Sequence, residues 1–152
     1  MTTIAWDGHT LAADTLLTAG GMRAGHTAKI RRFGSLLIGF CGQSKNFEAF
    51  RNWLASGAAG NFKGEGGNVF IIPPTGPAII WSETETPWRE ASPFWALGDG
   101  EAIALGVMAS GGSAVDAVKA AISISVYSGG DITALRRPSK LKNHCDAKGC
   151  EA

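Results

Sequence analysis

Cysteine is scarce in this chain. There are three in 152 residues, Cys41, Cys145 and Cys150. An odd, sparse set builds no dense disulfide framework, so a reducing, cytoplasmic setting is expected. Charge is also scarce. Charged residues make up 18% and nearly cancel to a net +1, so the overall balance points to neither a nucleic acid nor a membrane surface as partner. No apolar run approaches the roughly 20 residues of a membrane span. The N-terminus lacks a basic region followed by an apolar core, so no signal peptide is expected. No internal repeat is present, which excludes a solenoid or propeller. His144, Cys145 and Cys150 lie close together, but three ligands without a fourth match no common zinc spacing.

What is present is apolar and rich in glycine. The apolar fraction is 45%, with 21 glycines. That suits one packed domain with many tight turns. The expected domain covers residues 1–137. Residues 138–152 read as a polar, basic and disordered tail. Residues 136–152 carry five basic and two acidic side chains, so this end is +3 and the body −2.

The first fourteen residues organise the rest. Removal of Met1 leaves Thr2 with a hydroxyl beside a free α-amine, a nucleophile and a base within one residue. Residues 2–6 are β-branched and apolar and read as a strand. Asp7-Gly8 signals a hairpin, and residues 11–13 return antiparallel. This places Asp14 near the start of the first strand. Residues 15–25 show no period and read as loop. Residues 27–33 read as a strand with Lys29, Arg31 and Phe33 on one face. Residues 36–41 form a nearly continuous apolar run, the pattern of a strand buried on both faces.

A helix follows, with Ser44 as N-cap and Phe47, Phe50, Arg51 and Leu54 at helical spacing. Residues 57–68 read as a surface connection. Residues 69–72 and 78–81 form a second hairpin around a proline-rich bend. Residues 82–92 are polar and exposed. Residues 94–97 are a short strand closed by Gly98-Asp99-Gly100. A short helix over 101–108 precedes a longer one. Ser113 caps the latter with Asp116 as box partner, and Val115, Val118 and Ile122 mark its apolar face. Residues 131–135 are the last strand. Two antiparallel sheets with helices outside would use this inventory.

Five blocks in order then carry a resemblance: Thr2-Thr3-Ile4, Ala12-Ala13-Asp14, Ala28-Lys29-Ile30-Arg31-Arg32-Phe33, Ile38-Gly39-Phe40-Cys41-Gly42 and Ala96-Leu97-Gly98-Asp99-Gly100, with Tyr127-Ser128-Gly129-Gly130 after them. Together they resemble the HslV-type bacterial proteasome-like peptidases, over residues 2–135. The resemblance implies the α+β, four-layer αββα sandwich of the N-terminal-nucleophile hydrolases. It implies a threonine endopeptidase acting on proteins or peptides inside a homo-oligomeric ring, with an unfolding ATPase as a further partner. Thr2 is then the nucleophile, Asp14 and Lys29 its charged neighbours, and Gly42 the source of an oxyanion N–H. No cofactor is required. Some relatives hold a monovalent cation such as Na+ through carbonyls, at positions matching Ile122, Ser125 and Ser128.

Two departures stand out. Many relatives have serine where this chain has Asp99, which bears on the proton relay. Relatives also carry a further long helix after the first, where this chain has only residues 57–68, so one helix is expected to be missing. The chemistry itself is coherent. An α-amine titrates near pH 7.7–8.0, close to working pH, and can take the hydroxyl proton. A lysine ammonium favours the neutral amine and a negative Oγ1, a carboxylate would hold that ammonium, and a glycine N–H can approach an oxyanion closely. Two other readings use the same fold: a non-catalytic assembly protein, and an amidase acting on small amides.

Overall fold

The computed structural model describes residues 2–58, 62, 67–82 and 87–138. The tail expected over residues 138–152, with His144, Cys145 and Cys150, lies outside them except for Pro138, and so does most of the connection after the first helix. The elements run β1 (Thr3–Trp6), β2 (Thr10–Asp14), β3 (Leu16–Ala19), β4 (Met22–His26), β5 (Ile30–Phe33), β6 (Leu36–Gly42) and α1 (Ser44–Ala55). Then come β7 (Gly67–Ile72), β8 (Ala78–Ser82), β9 (Trp88–Glu90), β10 (Trp95–Gly98), α2 (Glu101–Ala109), α3 (Ala114–Ile124) and β11 (Ile132–Arg136). One antiparallel sheet has the order β10-β1-β2-β11, another β5-β6-β7-β8-β9, and β3-β4 stand apart as a hairpin.

The central strands β1, β2 and β6 are buried on two faces, and their period of two sorts the side chains into separate layers. Along β1, Ile4 and Trp6 point into the core between the sheets, while Ala5 points to the helices. Along β2, Leu11 and Ala13 go inward and Ala12 outward. Register aligns Ala5 with Ala12 and with Ala96 of β10. These small residues form a stripe against Ala104 of α2 and Ala114 and Ala117 of α3. Alanine facing alanine lets the helices lie close to the sheet. On the other sheet, Leu37 enters the central core, whereas Ile38 and Phe40 meet Phe47 and Phe50 of α1. The result is helix, sheet, sheet, helix, as expected. Among the described residues, α1 is the only helix on its outer face.

Several local expectations are corrected. Residues 15–25 are not loop: they form the β3-β4 hairpin, turned at Gly20-Gly21. Most of its residues are exposed or half-exposed, so no hydrophobic alternation betrays the strands. Residues 27–29 are not in β5, which begins at Ile30. The N-cap of α1 is Gln43, not Ser44, and it caps without a side-chain hydrogen bond. Residues 82–92 contain the edge strand β9, paired to β8. The buried face of α3 is mainly alanine (Ala114, Ala117, Ala121) with Val118, while Val115 and Ile122 are only partly buried. Its capping box between Ser113 and Asp116 is present.

Candidate active site

The first strand sets the site. Thr3 pairs with Gly98, so Thr2 lies just before β1, beside the turn from β10 into α2. The Thr2 N–H donates to Asp99 Oδ2 at 3.1 Å. Glycine on each side of Asp99 makes this approach possible. Gly98 has φ +97°, and a Cβ there would lie 2.1 Å from the Thr2 carbonyl oxygen. A Cβ on Gly100 would lie 2.0 Å from Thr3 Oγ1 and 2.8 Å from the Ala121 methyl. Gly100→Ala should therefore destabilise the fold by about 1–3 kcal/mol through overpacking. A thermal melt followed by circular dichroism should show a midpoint lower by roughly 2–10 °C.

Asp14 ends β2 and is fully buried. Its Oδ1 accepts from Lys29 Nζ and from Thr3 N, both at 2.8 Å. Its Oδ2 accepts from Gly129 N at 3.0 Å and Leu16 N at 3.3 Å. Four donors leave this carboxylate fixed in place, which is what a buried charge requires. Lys29 is 5% exposed. Its carbonyl accepts the Phe40 N–H at 2.9 Å, which ties the irregular stretch before β5 to β6. Burial pushes the Lys29 ammonium below the usual lysine range, and the hydrogen bond and charge of Asp14 oppose that push. The solvated basic strand face that Arg31 and Arg32 suggest does not extend to Lys29.

Thr2, Lys29 and Gly42 line one cavity of about 490 Å³. Its other walls include Leu17 and Thr18 of β3, Arg31, Phe40, Cys41 and Phe47. The Phe40 and Phe47 rings stack with centroids 5.7 Å apart and planes at 10°. The Arg31 guanidinium lies 4.9 Å over the Phe47 ring and is also paired with Glu48. Burial pushes the Cys41 thiol up, so it stays protonated and is a poor rival nucleophile.

Thr2, Asp14, Lys29, Gly42 and Asp99 are thus brought together. The cation positions are placed differently. Ser125 caps α3, and its carbonyl accepts the Ser128 N–H at 3.3 Å. Ile122 packs its side chain against the helix-side core. Ser128 turns its hydroxyl inward, 2.6 Å from Thr3 Oγ1, with both residues fully buried. One of the three carbonyls is therefore already engaged. The described residues hold no group of three or more His, Cys, Asp or Glu side chains arranged for a metal.

The Thr3–Ser128 hydroxyl pair and the cavity walls were not expected from sequence. A signal existed for one wall: in the sequence Arg31 follows Lys29 at the spacing of two that places strand side chains on one face, although Lys29 itself lies just before β5. For Phe40 and Phe47 there was none, because both also read as ordinary core residues.

Solved structures of the same architecture are known. The chain is similar to Thiobacillus denitrificans BPH, at 23% identity over 89% of this chain and 96% of that one, with a TM-score of 0.70. The same protein in complex with epoxomicin matches at 22% identity, with the same coverages and a TM-score of 0.66. Eukaryotic HslV from Trypanosoma brucei matches at 18% identity, over 89% and 98%, with a TM-score of 0.65. This chain has the HslV-type fold. At these identities the likeness is one of fold. No protein-family model and no curated protein sequence matches the chain. Among the described residues, no helix is long and apolar enough to cross a membrane.

Proposed function

We propose that this chain, once Met1 is removed, is a threonine peptidase of the N-terminal-nucleophile kind, working in a homo-oligomeric, HslV-like chamber on protein or peptide substrates. The observation that carries the reading is the convergence of Thr2, Lys29 and Gly42 on one cavity, with Asp14 fixing Lys29 from behind. The epoxomicin complex of a protein with this fold supports it.

In this mechanism the α-amine of Thr2 takes the proton from Thr2 Oγ1. Oγ1 bonds to the substrate carbonyl carbon, and the carbonyl oxygen becomes an oxyanion facing the Gly42 N–H. The carbon–nitrogen bond breaks, the leaving amine takes the proton, and an ester on Thr2 remains. Water then adds to the ester carbon, giving up its proton to the α-amine, and the acid leaves as Thr2 regains its hydroxyl. The Lys29 ammonium stabilises negative charge at Oγ1 and disfavours protonation of the amine. Asp14 is a positioning residue. It holds Lys29 and, through the Thr3 N–H, the strand that carries the nucleophile. No step needs a metal or organic cofactor. An unfolding ATPase would feed folded substrates to such a chamber.

The direct test uses an epoxyketone such as epoxomicin on trimmed protein. The expected result is one adduct, mapped to Thr2 by peptide mass. No adduct under conditions that label an active threonine peptidase would overturn the reading.

The cavity also sets a preference. Its two charged walls, Lys29 and Arg31, are cations already matched by Asp14 and Glu48, and its aromatic walls are Phe40 and Phe47. A large apolar side chain should fill it well, while a lysine side chain would meet two like charges. Peptides varied only at the residue before the cleaved bond should show kcat/KM at least about 10-fold higher for phenylalanine or leucine than for lysine.

A further inference from the structure

We infer that Asp99 is a positioning residue for the nucleophile's own base: its carboxylate takes an N–H of the Thr2 nitrogen and keeps the freed amine in its ammonium form to a higher pH than a neutral side chain there would. The inference rests on the peptidase reading of Thr2 and adds to it the group that sets the working pH. In the chain with Met1 attached, the nitrogen 3.1 Å from Asp99 Oδ2 is a peptide N–H. After trimming, the same nitrogen is the α-amine. The turn cannot draw back easily, because Gly98 and Gly100 already bring its backbone against Thr2 and Thr3.

The charged and titratable groups around this nitrogen come from several elements. Lys29 precedes β5, Cys41 is in β6, Asp14 ends β2, and Glu101 starts α2. Asp14 is taken up by Lys29 and three backbone N–H groups, including that of Thr3 rather than Thr2. Glu101 has no hydrogen bond or ion pair to Thr2. Asp99 is the acidic side chain bonded to the nitrogen itself. Lys29 pushes the amine towards its neutral form and Asp99 pushes it back.

The geometry has two consequences. An amine with one N–H committed to Asp99 has fewer ways to point its lone pair, so orientation towards Oγ1 is favoured. A carboxylate beside the amine also stabilises the ammonium that forms during attack, so the base is stronger in reaction but available only at higher pH. Asp99 is exposed, so solvent screens the effect.

The test compares the trimmed parent with Asp99→Asn and Asp99→Ser. The acid limb of kcat/KM against pH should move to lower pH by about 0.5–1 unit in both variants, with a lower plateau. Independently of cleavage, labelling of the N-terminal amine by an acylating reagent, followed by peptide mass across pH, should show its midpoint fall by the same amount. A merely structural role would change melting temperature and leave that midpoint in place. Cleavage with a midpoint unchanged within about 0.2 unit, or raised, overturns the inference and leaves the peptidase reading standing. A lowered midpoint in a protein that never cleaves or forms an adduct overturns the peptidase reading and leaves the Asp99 contact standing.

Discussion

Thr2→Ala in trimmed protein should lower peptide cleavage by at least about 10³-fold, because it removes the hydroxyl that sits beside the α-amine, whereas Thr18 and Thr27 of the same cavity have no such amine on their own residue. The epoxyketone adduct should vanish with it. Folding should be little changed, since Thr2 lies before β1 and its N–H, which bonds Asp99, is kept. Thr2→Ser keeps the hydroxyl and should keep measurable activity. It loses the methyl that faces Gly98, so the hydroxyl has more rotamer freedom and the rate should drop. Protein that retains Met1 should behave like Thr2→Ala, because its Thr2 nitrogen is an amide and cannot accept the proton. Mass spectrometry of the N-terminus paired with a peptide assay separates these forms. If Thr2→Ala cleaves as well as its parent, the chain is a scaffold with a peptidase fold.

Lys29→Met should show the second large effect, and it has two parts. Activity should fall by about 10²–10³-fold, as when one preorganised stabiliser of developing charge is removed. Stability should also fall, because Asp14 stays fully buried and loses its ionic partner while its backbone donors remain. Breaking a buried ion pair from one side costs about 3–5 kcal/mol, a midpoint shift of roughly 6–20 °C for a chain of this size. Lys29→Met combined with Asp14→Asn removes both charges. It leaves at least one backbone N–H facing the amide NH2 of the new side chain, so it should recover only part of the stability, and none of the activity. That split separates the structural from the chemical role, read by thermal melts and by kcat/KM in the same samples. A double variant that regains cleavage would exclude Lys29 from the chemistry.

The site was legible to different degrees. Thr2 and Asp14 follow from the first fourteen residues, since a strand, a hairpin and a return fix which positions lie opposite. The return ends with Asp14 accepting the Thr3 N–H at 2.8 Å. Lys29 was harder. Beside Arg31 and Arg32 it reads as part of a solvated strand face, and local pattern carries no sign that β2 ends against it. Its burial depends on Asp14 and β6 closing around it, and Asp14 is in turn held by Gly129, 115 residues further along the chain. The β3-β4 hairpin, which supplies Leu17 and Thr18 to the cavity, escaped because its strands are too exposed to alternate. Asp99 between two glycines reads in isolation as a turn residue, and only its place in a block shared with the HslV-type peptidases made it a candidate for the site.

By itself the sequence determined the layers. The short apolar runs of β1, β2 and β6 and the apolar spacing of the helices leave one economical way to bury these faces, because burial on both sides of a sheet requires cover on both. Tertiary structure alone decided which polar groups meet. Whether a lysine is solvated or buried, and whether a carboxylate reaches a terminal nitrogen, depends on close approaches between segments far apart in the chain. Those approaches rest on absent side chains at Gly98 and Gly100 and on four donors gathered around Asp14, and no local periodicity encodes them.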